Sequence, residues 1–551
     1  MANFRLPLGP LLLSLTYLFA SSIFASTDSI PREHTVENIS NFAKRQDGIF
    51  SVLGIAGLGD RTVYPRLEIR DLEKNNPDQW NVFLLGLQRF QSIDQSDKLS
   101  YFQIAGIHGR PFVPWDGVNG DDYYWSRYSG YCTHDSNIFP TWHRPFLALF
   151  EEILFLNARE AVSALSNGAL KNRYAKALPS LRLPYWDWAA IPPGEEGTLP
   201  ASVQAQTVNV TMPNGTVTIT NPLHSYKFHP LPDWEAEGDE RWKEFPETVR
   251  APTTADKNAH SNNTKAAQSL QENRSSMQAR VYNLLAMQHE YLNMSTKLIP
   301  GDSMETLKPF HKDDSGNFWT SDDVRDHTIF GYTYPDLIDI SNTTTTKLNS
   351  RGVSTSLIAR VNALYGPNAS PLQSPQNQVI AQLKRGVATT GAPHFSGKRQ
   401  YTLNIEVHEF NNPGSLAIYA FFGPPTGGVG DWVNSAGFVG TTSIFGASAP
   451  AAELSHSIIP LTPALEAKAK SGELLSMDEG DVSNYLKSNL RWRVVKQNAD
   501  LTNWTDGAPG LEVSVTWQEI EPAVSEEDFP SAAGEEKELL CADASKQGHF
   551  K

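Results

Sequence analysis

Residues 146–159, FLALFEEILFLNAR, are apolar on nearly every face of a helix. A helix with one apolar stripe can lie at a surface, but one that is apolar all round must be enclosed. The run therefore predicts a buried helix packed among others. Its start is expected just after Pro145, because proline is favoured in the first helical turn. Residues 264–292 predict a second helix, with Leu270, Met277, Val281, Leu284, Leu285 and Leu292 at helical spacing and neither Pro nor Gly. A chain of 551 residues, 40% of them apolar, can bury more than one domain core.

The texture changes at Gln400. YTLNIEVHEF and SLAIYAFFG alternate like strands around NNPG, a turn signal. LRWRVVKQ and LEVSVTWQEI alternate in the same way. The fold class is thus mainly α, a helical core followed by a C-terminal β-sandwich. The core is expected over residues 46–345 and the sandwich over 396–524. Residues 200–262 read as surface loops, 346–395 as a polar linker, and 525–551 as a disordered acidic tail.

The N-terminus carries an address. Arg5 precedes an apolar run from Leu11 to Ala20 and small residues through Ala25, which makes residues 1–25 a secretory signal peptide. Residues 26–45 read as a propeptide ending at Lys44-Arg45. Nine N-x-Ser/Thr sequons, at Asn38, Asn209, Asn214, Asn262, Asn273, Asn293, Asn342, Asn368 and Asn503, fit a secreted glycoprotein of the extracellular space or cell wall. Beyond the signal peptide, no apolar run is long enough for a membrane span. The net charge of −15 argues against a nucleic-acid partner, since phosphate recognition needs a basic face. Two cysteines, Cys132 and Cys541, cannot make a disulfide framework.

Three histidines stand in unusual company: His108 in GIHGRPFVPWDG, His134 in GYCTHDSNIFPTW and His143 in WHRPFLALFEE. Imidazoles suit copper, zinc, iron and nickel, and three of them leave an open site for a small ligand. On residue type alone the alternative is three unrelated loop histidines.

The surrounding motifs carry more. GYCTH, FPTWHRPFLALFE and LPYWDW (Leu183 to Trp188) resemble the type 3 copper proteins, and the fungal tyrosinases in particular. RLEIRDLEKNNPDQWNVFLLGLQRF and SYFQIAGIHGRP resemble the start of that catalytic core. LKPFHKDDSGNFWTSDDVRDHTIFGYTYPDL resembles its end, and residues 401–423 resemble the C-terminal domain of tyrosinase proenzymes. The resemblance implies a helical bundle with two coppers, A and B, each held by three histidines. It also implies phenolic substrates and dioxygen, with mono- and o-diphenols oxidised to o-quinones as in melanin-type pigment chemistry. His108, His134 and His143 match the copper A ligands. Cys132, two residues before His134, matches a cysteine that carries a thioether bond to that histidine's ring; a buried free thiol or a disulfide to Cys541 are the alternatives. The C-terminal domain is expected to cover the copper face.

The copper B pattern is not found. It needs an H-x3-H pair on one helical face and a further histidine in a D-P-x-F-W-x-H-H-type stretch. His260, His289, His311 and His327 each lack a histidine three or four residues away. AMQHEYLNMSTK resembles the helix leading toward copper B, and LIPGDSMETLKPFHKD the segment that follows it. They abut near Lys297–Leu298, so the four-helix copper bundle reads as incomplete and at most one copper is expected. The alternative to an active oxidase is an inactive copper A-only variant, because two-electron reduction of dioxygen draws one electron from each of two coppers.

Overall fold

The computed structural model describes residues 48–59, 61–109, 113–120, 131–132, 138–232, 244–254, 256–286, 306–341, 355–366, 369, 371–372, 399–408, 416–444, 454–496, 499–500, 511–525, 527–543 and 550. The signal peptide and propeptide of residues 1–45, together with His134 and His289, lie outside them.

The core opens with α1 (Ile69–Asn75), α2 (Pro77–Gln91) and α3 (Tyr101–Ile107), followed by α4 (Phe139–Ser163) and α5 (Ala169–Ala177). Helix α2 starts on Pro77, whose fixed φ suits the first turn, with Asp78 at its positive end and Arg89 at its negative end. It lies along α4 at close range. A Cβ on Gly86 would come within 2.7 Å of the Ala158 Cβ, so only glycine admits this approach.

Helix α4 is the enclosed helix that the sequence calls for. Trp142, Ala148, Leu149, Leu154 and Ala158 are fully buried. Its start differs from expectation: the helix begins at Phe139, and Pro145 lies inside it. Pro140 sets the first turn, and Pro145 costs one backbone hydrogen bond. Two glutamates interrupt the apolar surface, and both are partnered. Glu151 accepts from Arg66 Nε at 2.9 Å and from the Leu183 amide at 2.6 Å, and Glu152 accepts from the Leu53 amide at 3.3 Å. The Arg66 guanidinium also lies 3.5 Å from the centre of the Tyr332 ring, which ties the start of the core to its end.

Residues 200–262 are more than loops. They contain a hairpin of β1 (Thr207–Met212) and β2 (Gly215–Thr220). Pro213 and Asn214 make its two-residue turn, and Gly215 follows at φ 114°. Helix α6 (Asn263–Ala286) follows the predicted helical repeat. Then come β3 (Thr306–His311), β4 (Phe318–Thr320), α7 (Pro335–Ser341) and α8 (Thr355–Tyr365). Helix α8 corrects the linker reading. It packs on α6, with Tyr282 donating to Asn362 Oδ1 at 2.9 Å and Gln278 to the Leu364 carbonyl at 3.1 Å.

The C-terminal domain comprises β5 (Arg399–His408), β6 (Leu416–Phe422), β7 (Phe438–Ile444), β8 (Leu454–Pro460), α9 (Thr462–Ser471), α10 (Glu479–Asn489), β9 (Leu490–Lys496), β10 (Ala499–Asp500), β11 (Leu511–Glu521) and β12 (Ser531–Asp543). Two four-stranded sheets, ordered β8-β5-β11-β12 and β10-β9-β6-β7, enclose Leu403, Ile405, Ile418, Trp492, Val513 and Val515. Strand β12 corrects the tail reading, since residues 531–543 pair antiparallel with β11. Its run of glutamates disguises an edge strand, where charge blunts further pairing. Phe550 is also buried, against Trp492 at 5.1 Å between ring centres.

The sandwich meets the rest of the molecule at α6, which lies against β7 and β8. The turn before β12 adds Phe529, edge-on to Tyr282, and the Asp528 carbonyl, which accepts from Asn362.

Candidate metal centre

Two helix ends aim imidazoles at one point. Ser100 caps α3 by accepting from the Gln103 amide at 3.1 Å, and His108 closes the other end of that helix. His143 sits one turn into α4. Its Nδ1 donates to the Phe139 carbonyl at 2.7 Å; a carbonyl can only accept, so this bond places the ring proton on Nδ1. The Nε2 lone pair is left facing His108 Nε2 at 3.0 Å.

The third member is Cys132. Its Sγ lies 3.5 Å from His108 Nε2 and 3.6 Å from His143 Nε2. Tyr131 holds the adjacent backbone, since its hydroxyl accepts from the Trp115 amide at 2.8 Å and donates to the Val118 carbonyl. Cys132 is buried, and burial pushes its thiol up to about 12. A bound cation would reverse that preference by stabilising the thiolate.

The floor of the site is aromatic. Trp142 is fully buried, stacks on Phe146 and donates to the Lys308 carbonyl at 2.7 Å. Phe139 lies against the His143 ring at 4.2 Å between centres and is partly open to solvent.

These residues fit a transition metal. The two Nε2 atoms face each other at a distance that requires a proton or a cation between them. One ring has already committed its proton elsewhere. Imidazole and thiol are donors for soft and borderline ions, copper among them.

Of the predicted set, the structure brings His108, His143 and Cys132 together. Among the described residues, these form the one group of three or more histidine, cysteine or acidic side chains able to share an ion. The other described histidines have different surroundings. His311 is buried in β3 and stacked on Phe318 at 4.4 Å. His327 is pushed down to about 4, by burial first and by the Arg144 and Arg66 cations after it. His224 and His229 pair with the Gln204 and Gln91 carbonyls, His260 is exposed, and His456 faces Glu406 at 3.3 Å.

LPYWDW has a supporting role. Asp187 accepts from the amides of Ala189 and Ala190 and from the Tyr365 hydroxyl, while Trp186 donates to the Thr198 carbonyl. The sequence reading missed the Phe139 carbonyl that orients His143. A histidine four residues into a helix start, facing a carbonyl one turn back, is the signal that could have found it.

Residues 98–327 match the family model for the common central domain of tyrosinase, and residues 400–515 match that for the tyrosinase C-terminal domain. A tyrosinase from Neurospora crassa is 27% identical over 645 residues, covering 84% of this chain and 93% of that protein. A tyrosinase from Podospora anserina is 40% identical over 190 residues, about a third of each chain. Polyphenol oxidase 4 from Agaricus bisporus is 35% identical over 193 residues, 34% of this chain and 29% of that one. In fold, the chain resembles recombinant mushroom tyrosinase with a TM-score of 0.67 at 21% identity, over 91% of this chain and 99% of that one. It also resembles holo-protyrosinase from Aspergillus oryzae, with a TM-score of 0.62 at 18% identity, over 91% of this chain and 100% of that one. With the central and C-terminal models matched in chain order and one relative aligned over most of its length, the chain belongs to the tyrosinase and polyphenol oxidase family.

Proposed function

We propose that this chain is a tyrosinase-like copper oxidase of phenols, whose reaction converts mono- and o-diphenols with dioxygen to o-quinones. The observation that carries the reading is the facing pair of His108 and His143 at 3.0 Å, set in the family's central domain. His108 and His143 hold the copper, with His134 as the family's third ligand and Cys132 beside them. Bound copper supplies the electrons that dioxygen takes up. The Phe139 carbonyl keeps the His143 proton on Nδ1 and its lone pair toward the ion. Trp142 and Phe310 exclude water beneath the rings, and the exposed face of Phe139 offers an apolar surface to an aromatic ring. Residues 1–25 and the exposed Asn209 and Asn214 of the β1–β2 hairpin support a secreted, glycosylated protein.

A second reading has its own support. The Neurospora alignment runs over 645 residues yet uses 84% of this 551-residue chain, so that relative carries stretches this chain lacks. Together with the unpaired histidine pattern near Lys297–Leu298, this supports a copper A-only protein without turnover. Copper analysis with oxygen uptake on an o-diphenol decides. Two coppers per chain with uptake support the oxidase; one copper without uptake supports the second reading.

A further inference from the structure

We propose that the β1–β2 hairpin is the glycan-bearing surface of this chain, with N-linked oligosaccharides on Asn209 and Asn214 and none on Asn273. The proposal rests on the secretion reading above, carried by residues 1–25, and names the sites that secretion would modify. Asn209-Val210-Thr211 and Asn214-Gly215-Thr216 are acceptor sequences for that chemistry.

The hairpin has two unlike faces. Val210 is buried, and Val208, Met212 and Ile219 pack with it on the core. On the other face Thr207, Asn209 and Thr211 stand opposite Thr220, Thr218 and Thr216, and all six are exposed. The ribbon cannot turn over, because Tyr174 donates to the Thr211 carbonyl at 2.8 Å and the Thr211 amide donates to Asn81 Oδ1 at 2.8 Å. Asn209 Oδ1 accepts from the Thr218 hydroxyl at 2.8 Å, while its Nδ2 makes no hydrogen bond. A glycan replaces one hydrogen of that nitrogen and leaves the bond to the oxygen in place. Asn214 lies in the exposed turn. Five hydroxyls and one amide, with neither charge nor aromatic ring among them, offer a protein partner few anchors. Each strand of a two-stranded sheet is also an edge that needs blunting, and a hydrated oligosaccharide blunts it.

Asn273 is the contrast. Its sequon, Asn273-Arg274-Ser275, lies within α6, and its Oδ1 is buried without a partner. One turn on along the same helix face, Ser276 is buried against the sandwich, where a Cβ on Gly440 would collide with its hydroxyl. An oligosaccharide has no room at such a contact. The transfer joins the asparagine Nδ2 to the anomeric carbon of an oligosaccharide carried on a polyprenyl diphosphate. The carbon–nitrogen bond forms as the carbon–oxygen bond to the diphosphate breaks. The diphosphate leaves with the electron pair, and one Nδ2 proton passes to a base of the host transferase.

The test expresses the full chain in a eukaryotic host that attaches N-linked glycans. Enzymatic release of the glycans in heavy-oxygen water, followed by peptide mass spectrometry, should find labelled aspartate in place of Asn209 and Asn214 and unmodified Asn273. Thr211→Val and Thr216→Val keep a β-branched side chain on the exposed face, so neither disturbs the fold. Each should remove one glycan, read as one step in gel mobility, and leave copper content unchanged. Asn273→Gln should give no step. Unmodified Asn209 or Asn214 in a chain that has lost residues 1–25 would overturn the proposal and leave secretion standing. A glycan on Asn273 of the folded chain would overturn its exclusion. If residues 1–25 remain attached and no sequon is modified, the secretion reading falls and the proposal with it.

Discussion

The two halves of the helical core use histidine in opposite ways. In the first half, α3 and α4 bring His108 and His143 to 3.0 Å, and a backbone carbonyl fixes the tautomer of one of them. In the second half, His311 lies flat on Phe318 in a strand, and His327 sits among Tyr332, Tyr334 and two arginines. Residue type is the same in both. What separates a ligand from a packed ring is a second donor within a few ångströms and an anchor on the far nitrogen.

The largest effect should come from the first half. His143→Ala should lower copper affinity by at least about 100-fold, whereas His311→Ala should leave it unchanged. Equilibrium dialysis of the two variants, side by side, measures this. A comparable loss in both would erase the contrast between the halves.

Next in size is the support beneath the site. Glu151 shares α4 with His143 and is paired with Arg66 where both side chains are almost fully buried. Glu151→Ala leaves the guanidinium without its counter-charge and should cost about 3–5 kcal/mol of core stability in denaturant unfolding. His311→Ala removes a packed ring without stranding a charge, and its cost should be smaller.

The second half should show itself through pH. His327 is held down to about 4 against an ordinary 6.5, so the unfolded chain binds the proton more readily between those values. Its contribution to stability is complete above pH 6.5 and is lost as pH falls toward 4, by up to about 3 kcal/mol. His327→Gln should flatten that part of the stability–pH curve. An equal slope in the variant would assign the acid sensitivity to other groups. The smallest effect is expected where the sandwich docks: Tyr282→Phe removes the hydrogen bond to Asn362 and should cost about 1 kcal/mol.

Much of this was legible in the sequence. Residues 146–159 carry only four polar side chains, Glu151, Glu152, Asn157 and Arg159, too few to make a polar face, so their enclosure could be read directly. The alternation of residues 401–410 and 511–520 gave the sandwich its strands. The errors share a cause: local composition outweighed pattern. Residues 207–220 are rich in Thr and Asn, yet they alternate around Pro213-Asn214, and tertiary contacts finish the hairpin, with Tyr174 donating to the Thr211 carbonyl. The glutamates of residues 535–538 suggested solvent, but β11 offers them a partner strand. The start of α4 was misplaced because two prolines fit a first turn and only Pro140 occupies it. At the site, His108, Cys132 and His143 converge from three separate stretches of chain, and no sequence spacing encodes the distances between them.

The most direct test of the account is anomalous diffraction at the copper edge from crystals of the copper-loaded full chain. The account predicts a copper peak within bonding distance of His108 Nε2 and His143 Nε2. Copper-loaded crystals with no peak at that point would contradict it.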